Sequence, residues 1–258
     1  MKWFLNLMVT SFLFFPEKDF YELPQNYGLA AEEVSVVTPD SARLHGWFFK
    51  ASSQKPILLF FHGNAGNISG RLFKAKGWID RGVSVFLVDY RGYGKSEGKI
   101  QQGKDLLEDA HAALRWLEEN KKVTSHQIVL YGESIGSYPA ITLAGEKEFA
   151  GLILEAPFTT LNDLEKTHYG WIPEFALNGF QMNNDAAIPQ VRAPVFILHG
   201  DQDEICPKRM GERLYLLAPS PKEFYVIQGG THNNLPQAAG APYFDYPYEF
   251  LARENKFS

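Results

Sequence analysis

The chain has 258 residues, 45% hydrophobic and 21% charged, a balance that sustains a large apolar core and excludes the disordered, collagen-like and low-complexity classes. Its net charge of −5, with 25 Lys and Arg residues scattered instead of gathered in blocks, argues against a nucleic-acid surface. A single cysteine, Cys206, excludes both an intrachain disulfide and a Cys-rich zinc site.

The first element is an apolar run, Trp3 to Phe15, interrupted only by Asn6, Thr10 and Ser11. As a helix it would cover roughly 20 Å, short of the ~30 Å hydrocarbon core, so it is not expected to span a membrane. Lys2 is its only basic flank and Phe14-Phe15-Pro16-Glu17 offers no small-residue cleavage site, which disfavours a secretory signal. The expected organisation is this hydrophobic segment, 1–18, followed by one α/β domain, 19–258.

Apolar runs bounded by turn residues then predict strands over 32–38, 43–49, 56–61, 83–88, 127–131, 151–155, 194–199 and 223–227. The first two alternate like half-buried antiparallel strands, whereas the middle ones are almost continuously apolar, as strands covered on both faces must be. Helices are predicted between them. In 104–120, Leu106, Leu107, Ala110, Ala113, Leu114 and Leu117 share one face, and Asp105, Glu108, Arg115 and Glu118 the other. Further helices are expected over 67–81, 135–145 and 207–218, with one over 243–255 that Pro247 interrupts. This order implies a mostly parallel eight-stranded sheet flanked by helices, with ligands bound beyond the carboxyl ends of its strands. The long connection after 151–155 reads as a functional insertion over 159–189, a small lid.

Two segments match G-x-S-x-G, Gly94 to Gly98 and Gly132 to Gly136, and context separates them. A nucleophile elbow needs a strand running into the turn and a helix leaving it. Ser134 has both; Ser96 has neither and is read as a tight-turn serine. A serine nucleophile needs a base, and the base needs an acid to orient it. In the elbow architecture the chain order is Ser, acid, His. The strand 194–199 leads into Asp201, Asp203 and Glu204, and His232 alone among the histidines lies beyond them. Asp203 has more reach than Asp201, which suits a turn cap, and is favoured as the acid. The oxyanion of a tetrahedral intermediate needs amide donors. Ile135, directly after the nucleophile, is one candidate, and Asn64 in the loop His62 to Asn67 is the other, with Ala65 as its competitor. No metal site is expected, since His45, His111 and His126 lack partners at ligand spacing. His199 is read as a buried structural histidine and Cys206 as a small hydrophobe.

Taken together, His62 to Gly66, Asp89 to Ser96, Gly132 to Gly136, His199 to Asp203 and Gly230 to His232 resemble the α/β-hydrolase superfamily, in its order, over roughly residues 30–255. The resemblance implies an α/β-hydrolase fold, a triad of Ser134, Asp203 and His232, and no cofactor. Within the superfamily the chain looks most like the small-cap branch of membrane-linked depalmitoylases and their bacterial relatives, whose members often carry a hydrophobic N-terminal anchor. The aspartate-glycine usual before the second strand is replaced here by Asp40-Ser41.

The function so implied is hydrolysis of a carboxylic ester or thioester through an acyl-enzyme. The substrate is expected to be a small or lipid-like acyl compound, its pocket lined by Tyr169, Trp171 and Phe175. A peptidase or amidase of the same fold, and a non-catalytic binding module retaining it, are the competing readings. Residues 3–15 are expected either to anchor the chain peripherally at a membrane or to pack on this domain or a second copy. The corresponding location is the cytoplasm or a membrane surface.

Overall fold

The computed structural model describes residues 13–51, 56–168, 177 and 179–255. The described strands are β1 (Phe15–Pro16), β2 (Glu32–Val37), β3 (Arg43–Phe49), β4 (Ile57–Phe61), β5 (Ala65–Gly66), β6 (Ser84–Val88), β7 (Ile128–Glu133), β8 (Gly151–Glu155), β9 (Val195–Gly200) and β10 (Lys222–Ile227). Eight of them form one sheet in the order β10-β9-β8-β7-β4-β6-β3-β2, and β1 pairs with β5 apart from it. The β2–β3 and β3–β6 pairs are antiparallel, and the remaining pairs of the large sheet are parallel. This is the α/β-hydrolase arrangement, with strand limits within about two residues of those the apolar runs predict.

Every residue of β4, β6 and β8 is buried because helices cover both faces of the sheet. Along β4, Ile57, Leu59 and Phe61 enter one core with Leu106 and Ala110 of the helix Gly103–Trp116 and Ile141 of the helix Ser137–Glu146. Leu58 and Phe60 enter the opposite core with Leu72 and Trp78 of the helix Leu72–Asp80 and Phe250 of the helix Pro242–Asn255. Each such side chain contributes about 1.5–3 kcal/mol by leaving water.

The structure corrects several local expectations. The helix expected over 104–120 is α-helical only to Trp116, and Leu117–Lys121 forms a π turn that ends at Lys122 with φ 55°. Pro247 does not interrupt the last helix. Burial of Phe244, Phe250 and Leu251 around it offsets the missing hydrogen bond, a defect of about 3 kcal/mol in isolation. At the β2–β3 turn, Ser41 takes φ 70°, the conformation for which glycine is the usual choice.

The connection between β8 and β9 holds the helix Leu161–His168 and the short helix Asn184–Ala187. Its two ends are fastened together at the base: the Leu161 N–H donates to Met182 O at 3.0 Å and the Asn184 N–H to Thr159 O at 2.8 Å. Tyr169, Trp171 and Phe175, the expected pocket residues, lie outside the described residues, as do residues 3–12 of the apolar run.

Candidate active site

Strand β7 runs straight into Ser134, which stands at φ 52°. A non-glycine residue in that region stores on the order of 1–3 kcal/mol and persists only where its surroundings over-determine it. Two glycines do so here. A Cβ on Gly132 would sit 2.7 Å from Ser137 Cα, and one on Gly136 would collide with the Phe61 carbonyl, so strand, turn and following helix meet closely only without side chains. The first amides of the turn Ser134–Gly136, that of Ile135 among them, have no preceding turn to bond to.

Ser134, Asp203 and His232 come from three separate loops at the carboxyl end of the sheet and meet. His232 Nε2 lies 3.0 Å from Ser134 Oγ across 98 residues of sequence, and His232 Nδ1 lies 2.8 Å from Asp203 Oδ2. The other oxygen, Asp203 Oδ1, accepts the N–H groups of Ile205 at 2.9 Å and Cys206 at 2.8 Å. Burial of Asp203 opposes ionisation, but hydrogen bonds from His199 and His232, the His232 charge and the Cys206 amide outweigh it and hold the carboxyl at about 2. An ionised carboxylate can only accept, so His232 carries its proton on Nδ1. The lone pair of Nε2 then faces the serine hydroxyl.

The neighbouring acids take other places. Asp201 Oδ1 accepts the Gly229 N–H at 2.7 Å and so joins the acid loop to the histidine loop, while Glu204 is exposed. His199 is fully buried, with Nε2 2.6 Å from Cys206 O. Ser96 is buried in its turn: its hydroxyl donates to Asp89 O at 2.8 Å and accepts the His45 N–H at 2.9 Å.

The loop expected to supply the second amide donor is held from several sides. His62 Nδ1 lies 2.7 Å from Gly63 O, and the Tyr93 hydroxyl donates to Asn64 O at 2.8 Å. Burial, and secondly the Arg71 charge, lower the His62 pKa to about 4, so the ring is neutral and Nδ1–H donates to that carbonyl. The Asn64 N–H has no hydrogen-bond acceptor among the described residues.

Two features of the site carry no sequence signal of their own, and a third bears on the apolar run. The Cys206 thiol, read as core filling, lies against the Ser134 hydroxyl. Beneath the elbow, Glu133 pairs with Arg71 at 2.7 Å and with Lys74 at 2.8 Å, and Lys74 also reaches Glu155 at 2.8 Å. Residues 13–21 lie along the loop that holds Asn64. Packing on this domain is one of the two expectations for residues 3–15, of which Leu13, Phe14 and Phe15 are described. Among the described residues no cluster of three or more His, Cys, Asp or Glu side chains could hold a metal ion, and no helix is long and apolar enough to cross a membrane.

The family model for serine aminopeptidase, S33, matches residues 52–186. An uncharacterised protein of Mycobacterium tuberculosis is 37% identical over 224 residues, 86% of this chain and 79% of that one. The bem46 protein of Schizosaccharomyces pombe is 31% identical over 242 residues, 90% of this chain and 80% of its own. Among solved structures, the Pyrococcus furiosus esterase Pf2001 superposes with a TM-score of 0.77 at 21% identity, over 93% of this chain and 98% of that one.

Proposed function

The chain belongs to the serine aminopeptidase S33 family of α/β hydrolases, and from that premise we propose that it is a serine hydrolase cleaving carboxylic esters or thioesters through an acyl-enzyme. The observation that carries the reading is the unbroken relay from Asp203 through His232 to Ser134, at 2.8 and 3.0 Å. Ser134 Oγ attacks the acyl carbon while His232 Nε2 takes its proton, and the Asp203 carboxylate stabilises the imidazolium formed. The carbonyl oxygen, now an oxyanion, is received by the amides of Ile135 and Asn64. His232 returns the proton to the departing alkoxide or thiolate, and a water molecule, deprotonated by the same imidazole, releases the acid.

The segment 159–189 acts as the lid over the acyl chain. The part of the apolar run that precedes Leu13 places the enzyme at a lipid interface, where long-chain acyl substrates collect. Loss of liposome binding on removing residues 1–12 is the expected result, and unchanged binding sinks the interfacial role.

The reaction is tested with nitrophenyl esters and acyl thioesters of graded chain length. Ser134→Ala should lower kcat by on the order of 10⁶ while the protein stays folded. Near-wild-type turnover by that variant refutes the assignment. The family description favours one competitor, amide cleavage, and faster turnover of aminoacyl nitroanilides than of any ester would select it.

A further inference from the structure

The loop that carries Asn64 is bound more extensively by the N-terminal segment than a chance contact requires. The Phe15 N–H donates to Asn64 O at 2.9 Å and the Glu17 N–H to Gly66 O at 3.1 Å, so β1 lies parallel to β5, in the register Phe15 to Ala65 and Pro16 to Gly66. The loop answers with its side chains. Asn64 Nδ2 donates to Leu13 O at 3.2 Å, and Asn67 Nδ2 donates to Glu17 O at 3.0 Å and Asp19 O at 2.8 Å. Further contacts fix the segment to the domain: Lys18 Nζ reaches Ser96 O at 3.0 Å, and the Tyr21 N–H reaches Ser69 Oγ at 3.0 Å. Phe14 is 7% exposed, and its ring centroid lies 6.0 Å from that of Phe180 at the base of the insertion.

These bonds act on the two peptide planes that flank the Asn64 α-carbon. The plane that carries the Asn64 N–H is held at its other end by the His62 ring, through Gly63 O. The next plane is held through Asn64 O by the Tyr93 hydroxyl from the domain and by the Phe15 N–H from the N-terminal segment. With both planes fixed, φ and ψ of Asn64 are fixed too, and so is the direction of its N–H. Oxyanion stabilisation depends on donors that are oriented before the charge develops.

We propose that residues 13–21 are a positioning strap for the oxyanion loop, with Phe14 as its anchor in the core and the Phe15 amide as the bond that sets Asn64. This rests on the serine-hydrolase reading for its kinetic consequence. The strap touches no reacting atom; it acts through the Asn64 main chain. The apolar run therefore continues into a segment that holds the Asn64 loop.

The test uses full-length protein carrying Phe14→Ala, with Phe14→Leu as the conservative variant and removal of residues 1–16 as the extreme one. Phe14→Ala should lower kcat for a short-chain nitrophenyl ester about 10- to 100-fold, less than the loss of a whole oxyanion donor, with KM changed less than about threefold. A trifluoromethyl ketone, which binds as a tetrahedral adduct, should weaken by the same factor. Phe14→Leu should stay within about threefold of wild type on both measures, because it refills most of the volume. Amide hydrogen exchange across residues 63–66 should speed at least about tenfold in Phe14→Ala. Unchanged exchange across 63–66 overturns the strap whether or not the protein hydrolyses esters. So does a truncated or Phe14→Ala protein that keeps wild-type kcat and analogue affinity. Absence of ester turnover in wild type, with the exchange effect present, refutes the hydrolase reading alone.

Discussion

Glu133 Oε1 lies 2.7 Å from Arg71 Nη2, so the residue before Ser134 is tied to the turn that follows the Asn64 loop. Lys74 completes the arrangement by bridging Glu133 and Glu155, and the Tyr131 and Tyr243 hydroxyls donate to Glu155 at 2.7 and 2.8 Å. Two cations and two carboxylates thus share one largely buried site. Burial opposes the ionisation of Glu133, but Arg71 and then Lys74 outweigh it and hold the carboxyl well below the ordinary range. A depressed carboxyl contributes stability that is present above the unfolded value and lost as pH falls through the folded one. Lys74→Met removes one cation from between two buried carboxylates and should cost about 3–5 kcal/mol in urea unfolding at pH 7. A loss below about 1 kcal/mol, the value of a surface pair, would show that the network is solvated.

Asp203 has a separable contribution. With its carboxyl at about 2 against an ordinary 3.8, it is ionised throughout the neutral range and holds the His232 proton on Nδ1. Asp203→Asn replaces an obligate acceptor with an amide that can donate, which favours the wrong imidazole tautomer, and kcat should fall by on the order of 10⁴. The stability that Asp203 contributes is present above pH ~4 and is lost as pH falls from there towards 2, so the acid limb of the unfolding curve should flatten in the variant. Retention of more than about a tenth of wild-type kcat would remove Asp203 from the relay.

The residues just described divide by how their information is written in the chain. Strands β4, β6 and β8 are legible because coverage on both faces leaves an uninterrupted apolar run. Ser134, Asp203 and His232 are legible because each lies directly beyond a recognisable strand and the elbow imposes an order on them. Glu133, by contrast, occupies a variable position of its motif, and its partners Arg71, Lys74 and Glu155 sit on other elements with no local pattern joining them. Asn67 shows the same limit within one residue. Its Oδ1 accepts the Ser69 N–H at 3.0 Å, a capping role that a turn before a helix suggests, while its Nδ2 holds a strap about fifty residues earlier. The apolarity of Phe14 suits a membrane anchor and a segment packed on this domain equally, and only tertiary packing shows its ring in the core.

Cys206 gives a chemical test of how closed the site is behind Ser134. Its thiol is 1% exposed, and burial, with the Asp203 charge second, pushes its pKa far above the ordinary thiol value. Since the thiolate is the reactive form, iodoacetamide at pH 8 should leave the native protein unmodified for hours and label it promptly in denaturant. Rapid native labelling, followed by mass spectrometry, would mean that the wall behind Ser134 opens to solvent.

His62 links the Asn64 loop to pH. Its pKa is lowered to about 4 in the fold, by burial first and the Arg71 charge second, from an ordinary 6.5. The unfolded chain therefore takes up a proton between those values that the folded chain refuses. Stability is unaffected by this group above about pH 7, declines as pH falls from 6.5 to 4, and is flat below. At ~1.4 kcal/mol per unit the decline amounts to roughly 3 kcal/mol. His62→Asn offers an amide donor towards Gly63 O without a titrating ring, so its stability should fall less over that interval by about this amount. Denaturant unfolding at pH 7, 6, 5 and 4 measures the difference. If both proteins lose stability in parallel, His62 is not buried as a neutral ring, and the orientation of the Gly63–Asn64 peptide must be set by something other than its Nδ1–H.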